Sequence, residues 1–191
     1  MKRLYKSFLL LIMIASSTCF ANPLSVHPTL SIGAAAPAFN LKGTDGKMYS
    51  LASFKNSAIL VIVFTCNHCP TAQAYEDRLI QLKKDFGDKG VAVVAIMPND
   101  DRSITLNELD YSDMSDSYEE MKLRAKEKKF NLPYLYDGEN QAVSRAYGPA
   151  TTPHVFIFDI NRKLRYQGRI DDMERPSKTP PSYATRDAFN A

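Results

Sequence analysis

Residues 58–70 read AILVIVFTCNHCP. Seven apolar residues, Ala58 to Phe64, include Ile59, Val61, Ile62 and Val63, which favour extended backbone. A run this short, without polar alternation, predicts a strand buried on both faces of a parallel or mixed sheet. Thr65 follows, then Cys66-Asn67-His68-Cys69 and Pro70. Beyond Pro70, Ala72, Tyr75, Leu79, Leu82 and Phe86 recur at spacings of three and four. This apolar stripe predicts a helix over 70–87. Pro70 is tolerated in its first turn, and Gly87 and Gly90 end it. The cysteines therefore sit at a strand-to-helix junction. Four readings are open there: a redox pair, a metal clip, a peroxide-reducing site and a structural disulfide.

Working outward, residues 39–42 and 47–51 flank Gly43-Thr44-Asp45-Gly46 and predict a hairpin. VAVVAIM, 91–97, predicts a second buried strand. The polar, acidic stretch 99–116 reads as a long solvated loop. Further elements are expected as a helix over 117–129 with Tyr118, Met121 and Ala125 inward, a strand over 132–136, a helix over 140–147, and strands over 154–159 and 164–170. The last two join through Asn161-Arg162. Alternation of strands and helices predicts an α/β architecture: a central mixed β-sheet flanked by helices, with an N-terminal β-hairpin. His27 and the pair Asp171-Asp172 read as solvated surface groups.

The ends are set apart. Lys2, Arg3 and Lys6 precede the apolar run FLLLIMIA, 8–15, and Cys19-Phe20-Ala21 suits signal-peptide cleavage after Ala21. The run falls short of the roughly 20 residues that span a bilayer. Ser16-Ser17-Thr18 does not suit acylation of Cys19. Residues 1–21 thus read as a signal peptide, 22–33 as a leader loop and 34–171 as one domain. The proline-rich stretch 172–191 reads as a tail in which the chain ends within an element. Localisation is expected to be periplasmic or secreted, without stable membrane insertion.

The whole chain has 24 Lys plus Arg against 21 Asp plus Glu. Loss of residues 1–21 removes three basic groups and leaves 21 against 21, a net charge of zero. Nothing in that balance favours nucleic acid. Cleavage also removes Cys19, so Cys66 and Cys69 alone remain. A bridge across two residues closes a small loop and restrains the unfolded chain little, which favours chemistry over stabilisation.

Free amides at a helix start favour an anion. On this spacing Cys66 is expected to meet them, to have a lowered pKa and to be the attacking sulfur, with Cys69 resolving. Asn67 and His68, between the sulfurs, are the redox-tuning candidates, His68 as a cation beside the thiolate.

Several short motifs share one order with this junction: Cys66-Asn67-His68-Cys69-Pro70, NLPYLYD at 131–137, Ala146-Tyr147-Gly148, Thr152-Pro153, Phe158-Asp159 and Gly168-Arg169-Ile170. Together they resemble the thioredoxin superfamily, and within it the redoxin branch, the alkyl hydroperoxide reductase and thiol-specific antioxidant group. Exported thiol–disulfide oxidoreductases of that branch are nearest in layout. The resemblance covers about 34–171 and implies a thioredoxin-like fold. It implies a cis Pro153 packed against the sulfurs, and a Thr152 backbone offered to an extended substrate segment. The partners implied are protein thiols or disulfides and an upstream redox partner, with no cofactor. His154 either approaches the sulfurs or faces away.

Two departures matter. Thr65 stands where thioredoxins carry Trp, and the strand 58–64 lacks their buried acid. Proton transfer must then use water or an acid from another segment, such as Glu76. Cys69-Pro70-Thr71 also resembles the peroxidatic site of peroxiredoxins, with Cys66 in place of their Thr and Arg145 or Arg169 as the arginine expected near the sulfur. There Cys66 would resolve a sulfenic acid on Cys69. A third alternative is copper(I) or zinc held by Cys66, Cys69 and His154, with His68 awkwardly adjacent to Cys69.

Overall fold

Strand β3 (Ile59–Phe64) is the centre of the molecule, and residues 60–64 have no solvent exposure. A computed structural model describes residues 27–103, 114–138 and 140–171. In chain order the other strands are β1 (Asn40–Gly43), β2 (Met48–Ser50), β4 (Val91–Met97), β5 (Tyr134–Tyr136), β6 (His154–Phe158) and β7 (Leu164–Gly168). The helices are α1 (Pro70–Phe86), α2 (Tyr118–Glu127) and α3 (Ala142–Tyr147). One seven-stranded sheet has the order β2-β1-β5-β4-β3-β6-β7. β3 pairs parallel with β4 and antiparallel with β6, and β4 pairs parallel with β5. The sheet is therefore mixed, as expected.

Period-two alternation divides the core. Val61 and Val63 face one layer, with Ala72, Tyr75 and Leu79 of α1 and Met121 of α2. Leu60, Ile62 and Phe64 face the other, with Phe39, Phe54 and the α3 residues Val143 and Tyr147. Leu82 and Phe86 are only partly buried.

Several boundaries moved inward. The strand expected from residue 132 begins at Tyr134, because Pro133 has no amide for the ladder, although its carbonyl accepts from Ala95 N at 2.9 Å. The helix expected from 140 begins at Ala142, where Asp137 accepts from Val143 N at 3.0 Å and Ser144 N at 2.7 Å. α2 starts where Ser117 Oγ accepts from Glu120 N at 3.3 Å, an N-cap.

The leader is strapped down where it is described. Leu30 N donates to Tyr147 O at 2.9 Å, Gly33 N to Leu164 O at 2.7 Å and Ala36 N to Arg162 O at 2.9 Å. It crosses the end of α3 so closely that a Cβ on Gly148 (φ +62°) would lie 2.3 Å from Pro28 O. Residues 1–21 and 172–191, including the expected signal and tail, lie outside the described residues, as does Asp172. Among the described residues no helix is long and apolar enough to cross a membrane.

Candidate active site

The strand-to-helix junction falls at the carboxyl ends of β3 and β4, the edge where open α/β sheets place their ligands. Thr65 N still bonds to Ile96 O at 3.0 Å, so the chain leaves the sheet only at Cys66. Helix α1 does not begin there. Its first residue is Pro70, and Cys69 is the N-cap, with extended backbone at φ −74° and ψ 117°. The amides that open the helix therefore serve Cys69. This corrects the expectation that Cys66 meets them.

The two cysteines are unbridged and unequal. Cys66 is 2 % exposed, while Cys69 is partly exposed. The Cys69 thiol is drawn down to about 5, first by the hydrogen bond from Cys66 and then, against the cost of burial, by the backbone amides of Ala72 and Thr71 and by Thr152. The Cys66 thiol is pushed up by the same hydrogen bond, by burial and by the negative charge of Asp116. Both shifts favour the charge on Cys69 and the proton on Cys66, the reverse of the expected assignment.

Thr152 lies beside both sulfurs. Cys66 Sγ is 3.1 Å from Thr152 Oγ1, and Cys69 Sγ is 3.7 Å from the Thr152 carbonyl oxygen. The Thr152–Pro153 peptide is cis.

Asn67 and His68 are held from below by a residue the sequence hid. Asp116 has no solvent exposure. Its Oδ1 accepts from Asn67 N at 2.8 Å and His68 N at 3.2 Å. Its Oδ2 accepts from His68 Nδ1 at 2.7 Å and Asn99 Nδ2 at 2.6 Å. Asn67 is equally fixed: its Nδ2 donates to Ser115 O at 2.9 Å, and its Oδ1 accepts from Tyr134 OH at 3.1 Å. In front of this turn lies a cleft of about 630 Å³ whose lining includes His27, His68, Asn99, Arg145, Thr151 and Thr152.

A family model described as Redoxin matches residues 31–185. The chain belongs to the Redoxin family. Two solved structures are similar over most of their length. A hypothetical protein from Sinorhizobium meliloti 1021 is 32 % identical with a TM-score of 0.74, covering 86 % of this chain and 85 % of that one. An uncharacterized conserved protein from Geobacillus kaustophilus is 39 % identical with a TM-score of 0.72, covering 84 % and 81 %. Peroxidoxin BcpB from Mycobacterium tuberculosis, at 16 % identity, TM-score 0.57 and coverage of 72 % and 84 %, shares the fold. So does a thiol:disulfide interchange protein, thioredoxin family protein from Chlorobium tepidum TLS, at 19 % identity, TM-score 0.57 and coverage of 78 % and 90 %. No curated protein matches. The α/β, thioredoxin-like fold read from the sequence is the fold of this redoxin.

Other expectations need correction. Glu76 is buried, but Arg124 grips it at 2.8 and 2.7 Å and Lys128 lies 3.4 Å away, so its carboxylate is committed to tying α1 to α2. His154 faces away from the sulfurs. Its Nδ1 accepts from Ala150 N at 2.9 Å, so its Nε2 carries the proton donated to Gln167 Oε1 at 2.9 Å, and the ring stacks on Phe156. Both nitrogens are used, which removes His154 from a metal set with Cys66 and Cys69. Cys66, His68 and Asp116 do place donor atoms within 4.8 Å of one another. Yet both Asp116 oxygens are already surrounded by N–H donors, so the cluster is a hydrogen-bond network. Asp171 is not surface charge: it is buried and accepts from Tyr75 OH at 2.7 Å and from Arg78 Nη1. Of the two arginines, Arg145 lines the cleft, while Arg169 is exposed elsewhere, its carbonyl accepting from Tyr166 OH at 2.7 Å.

Proposed function

We propose that this redoxin is an exported thiol–disulfide oxidoreductase working through Cys66 and Cys69 on protein thiols and disulfides. One observation carries the reading: an accessible, anion-favouring Cys69 at a helix start, with a buried, protonated Cys66 hydrogen-bonded behind it. The Cys69 thiolate attacks a partner disulfide and forms a mixed disulfide. The partner's other sulfur leaves as a thiolate and takes a proton from solvent. Cys66 then loses its proton and attacks the Cys69 sulfur. The partner departs reduced by two electrons, and the pair is left as a disulfide. An upstream dithiol partner returns those electrons. The chemistry needs no cofactor. The Thr152 carbonyl beside Cys69 suits an extended partner segment added edge-on. Export rests on residues 1–21.

Trapping tests the reading. With Cys66→Ala, mixed disulfides with exported proteins should accumulate on Cys69. Trapping only in the Cys69→Ala variant would reverse the roles, and trapping in neither would end the proposal.

A second reading is favoured by one feature. Cys69, with Pro70 and Thr71 following it into α1 and its neighbours His68 and Thr152 lining the cleft that Arg145 also lines, is also arranged as a peroxide-reducing thiolate would be. In that case stopped-flow mixing of reduced protein with hydrogen peroxide should show oxidation far faster than that of a free thiol.

A further inference from the structure

The proposed cycle leaves one proton without a destination. Cys66 attacks only after losing its proton, yet it is buried, and the Thr152 hydroxyl 3.1 Å from its sulfur is no base. β3 carries no acid, and Glu76 is committed to Arg124 and Lys128.

We propose that the Asp116–His68 pair is the proton acceptor for Cys66 in the resolving step, with His68 the base and Asp116 the residue that positions it. This inference rests on the oxidoreductase reading and adds to it the group that drives resolution. Four geometric facts carry it. Asp116 is surrounded only by N–H donors, so its carboxylate acts as an acceptor throughout. That makes His68 Nδ1 the donor at 2.7 Å and leaves the other ring nitrogen with a lone pair. A ring nitrogen of His68, a carboxylate oxygen of Asp116 and the Cys66 sulfur lie within 4.8 Å of one another, close enough for proton transfer through a single water. The His68 ring is partly exposed and lines the cleft, so a proton taken up can return to a leaving group or to solvent. A carboxylate behind an imidazole fixes the tautomer and stabilises the imidazolium, as in catalytic triads.

The step balances. The Cys66 Sγ–H bond breaks and its proton passes to His68. The Cys66 thiolate forms the S–S bond to Cys69 as the bond from Cys69 to the partner breaks. The partner sulfur leaves as a thiolate and takes the proton back from the imidazolium. The Asp116 charge also opposes ionisation of Cys66 at rest, keeping its proton on until the attack. Among the described residues, the other titratable or charged groups around the pair include Cys69 at the head of α1, Tyr134 on β5, and His27, Asp100 and Arg145 around the cleft.

The test separates the two sulfurs in time. Reduced protein is mixed with an aromatic disulfide reagent in excess. A first equivalent of coloured thiol reports attack by Cys69, and a second reports resolution by Cys66. In Asp116→Asn the second phase should slow by at least about tenfold at neutral pH, and in His68→Gln by about a hundredfold, the usual scale of general-base catalysis. In His68→Gln its rate should become directly proportional to hydroxide, whereas in the wild type it should level off. The first phase should persist in both variants. His68→Gln keeps Asp116 and the backbone turn, so it decides the matter if Asp116→Asn fails to fold. A normal second phase with an unaltered pH profile in His68→Gln overturns the inference. Absence of any first phase from Cys69 in the wild type overturns the oxidoreductase reading instead.

Discussion

Replacing Cys66 by Ala should raise the Cys69 pKa, and replacing it by Ser should raise it less. The Cys66 hydrogen bond is the first cause holding Cys69 near 5, and the Ala72 and Thr71 amides come after it. A hydrogen bond to a charged group contributes about 1.5–3 kcal/mol. At 1.36 kcal/mol per unit, its loss moves the midpoint up by roughly one to two units. Serine keeps an O–H donor at the same place, and alanine keeps none. The helix start remains in both, so neither variant should reach the value of a free thiol, about 8.5. The assay is thiolate ultraviolet absorbance against pH, with the rate of attack on a pyridyl disulfide as a check. That rate has a sign worth working out. At pH 6 a thiol with a midpoint near 5 is about 300 times more ionised than a free thiol, but its intrinsic nucleophilicity is about 40 times lower at a Brønsted slope near 0.45. Ionisation wins by nearly tenfold. At pH 7.5 the ionisation advantage falls to about tenfold, and the weaker nucleophile loses. Cys69 should therefore outpace a free thiol in acid and fall behind it in weak base. A rate rising tenfold per pH unit from 6 to 8, or a label found on Cys66, would refute the assignment of charge. So would equal midpoints for the Ala and Ser variants.

Further outcomes follow from the same geometry. With Cys69 ionised and Cys66 protonated, reduction of the disulfide takes up one proton for two electrons between pH 6 and 8. The potential should then fall by about 30 mV per pH unit rather than about 59, measured by equilibration with glutathione. Glu76→Gln leaves the Arg124 guanidinium without its charge partner between α1 and α2 and should cost about 3 kcal/mol in urea unfolding. The Cys69 titration should be unchanged in that variant, which separates a structural carboxylate from a proton acceptor. Gly148→Ala places a Cβ at positive φ against Pro28 and should destabilise by more than about 1 kcal/mol, with faster amide exchange at Leu30, whose N–H reaches Tyr147 across that contact.

Elements whose signal is local were legible. The bounds of β4 are those of the apolar run 91–97, because a strand buried on both faces admits no polar residue and so marks its own ends. Helix α1 ends one residue before the expected limit, at a glycine C-cap. The start of α1 was legible too, through a signal of a different kind. Proline prefers the first helical position, which makes the residue before it the N-cap. Pro70 therefore names Cys69 as the residue at the free amides. Reading the motif by its spacing alone gives that place to Cys66 and inverts the chemistry.

Asp116 had no such local mark. Its neighbours are polar, and composition assigns polar stretches to solvent. Its burial comes from partners 49 and 48 positions away, the amides of Asn67 and His68, which need an acceptor because the turn between β3 and α1 supplies none. An accounting of those amides would have shown that an acceptor had to come from elsewhere in the chain. It could not have said which, since Asp100 and Asp101 offer the same group in the same stretch. What distinguishes Asp116 is Ser117, which caps α2 and fixes where the loop ends. The helix that Met121 packs onto the sheet thereby carries a carboxylate to the cysteine turn. The difference between the two sulfurs thus depends on two junctions far apart in sequence, one at each helix start.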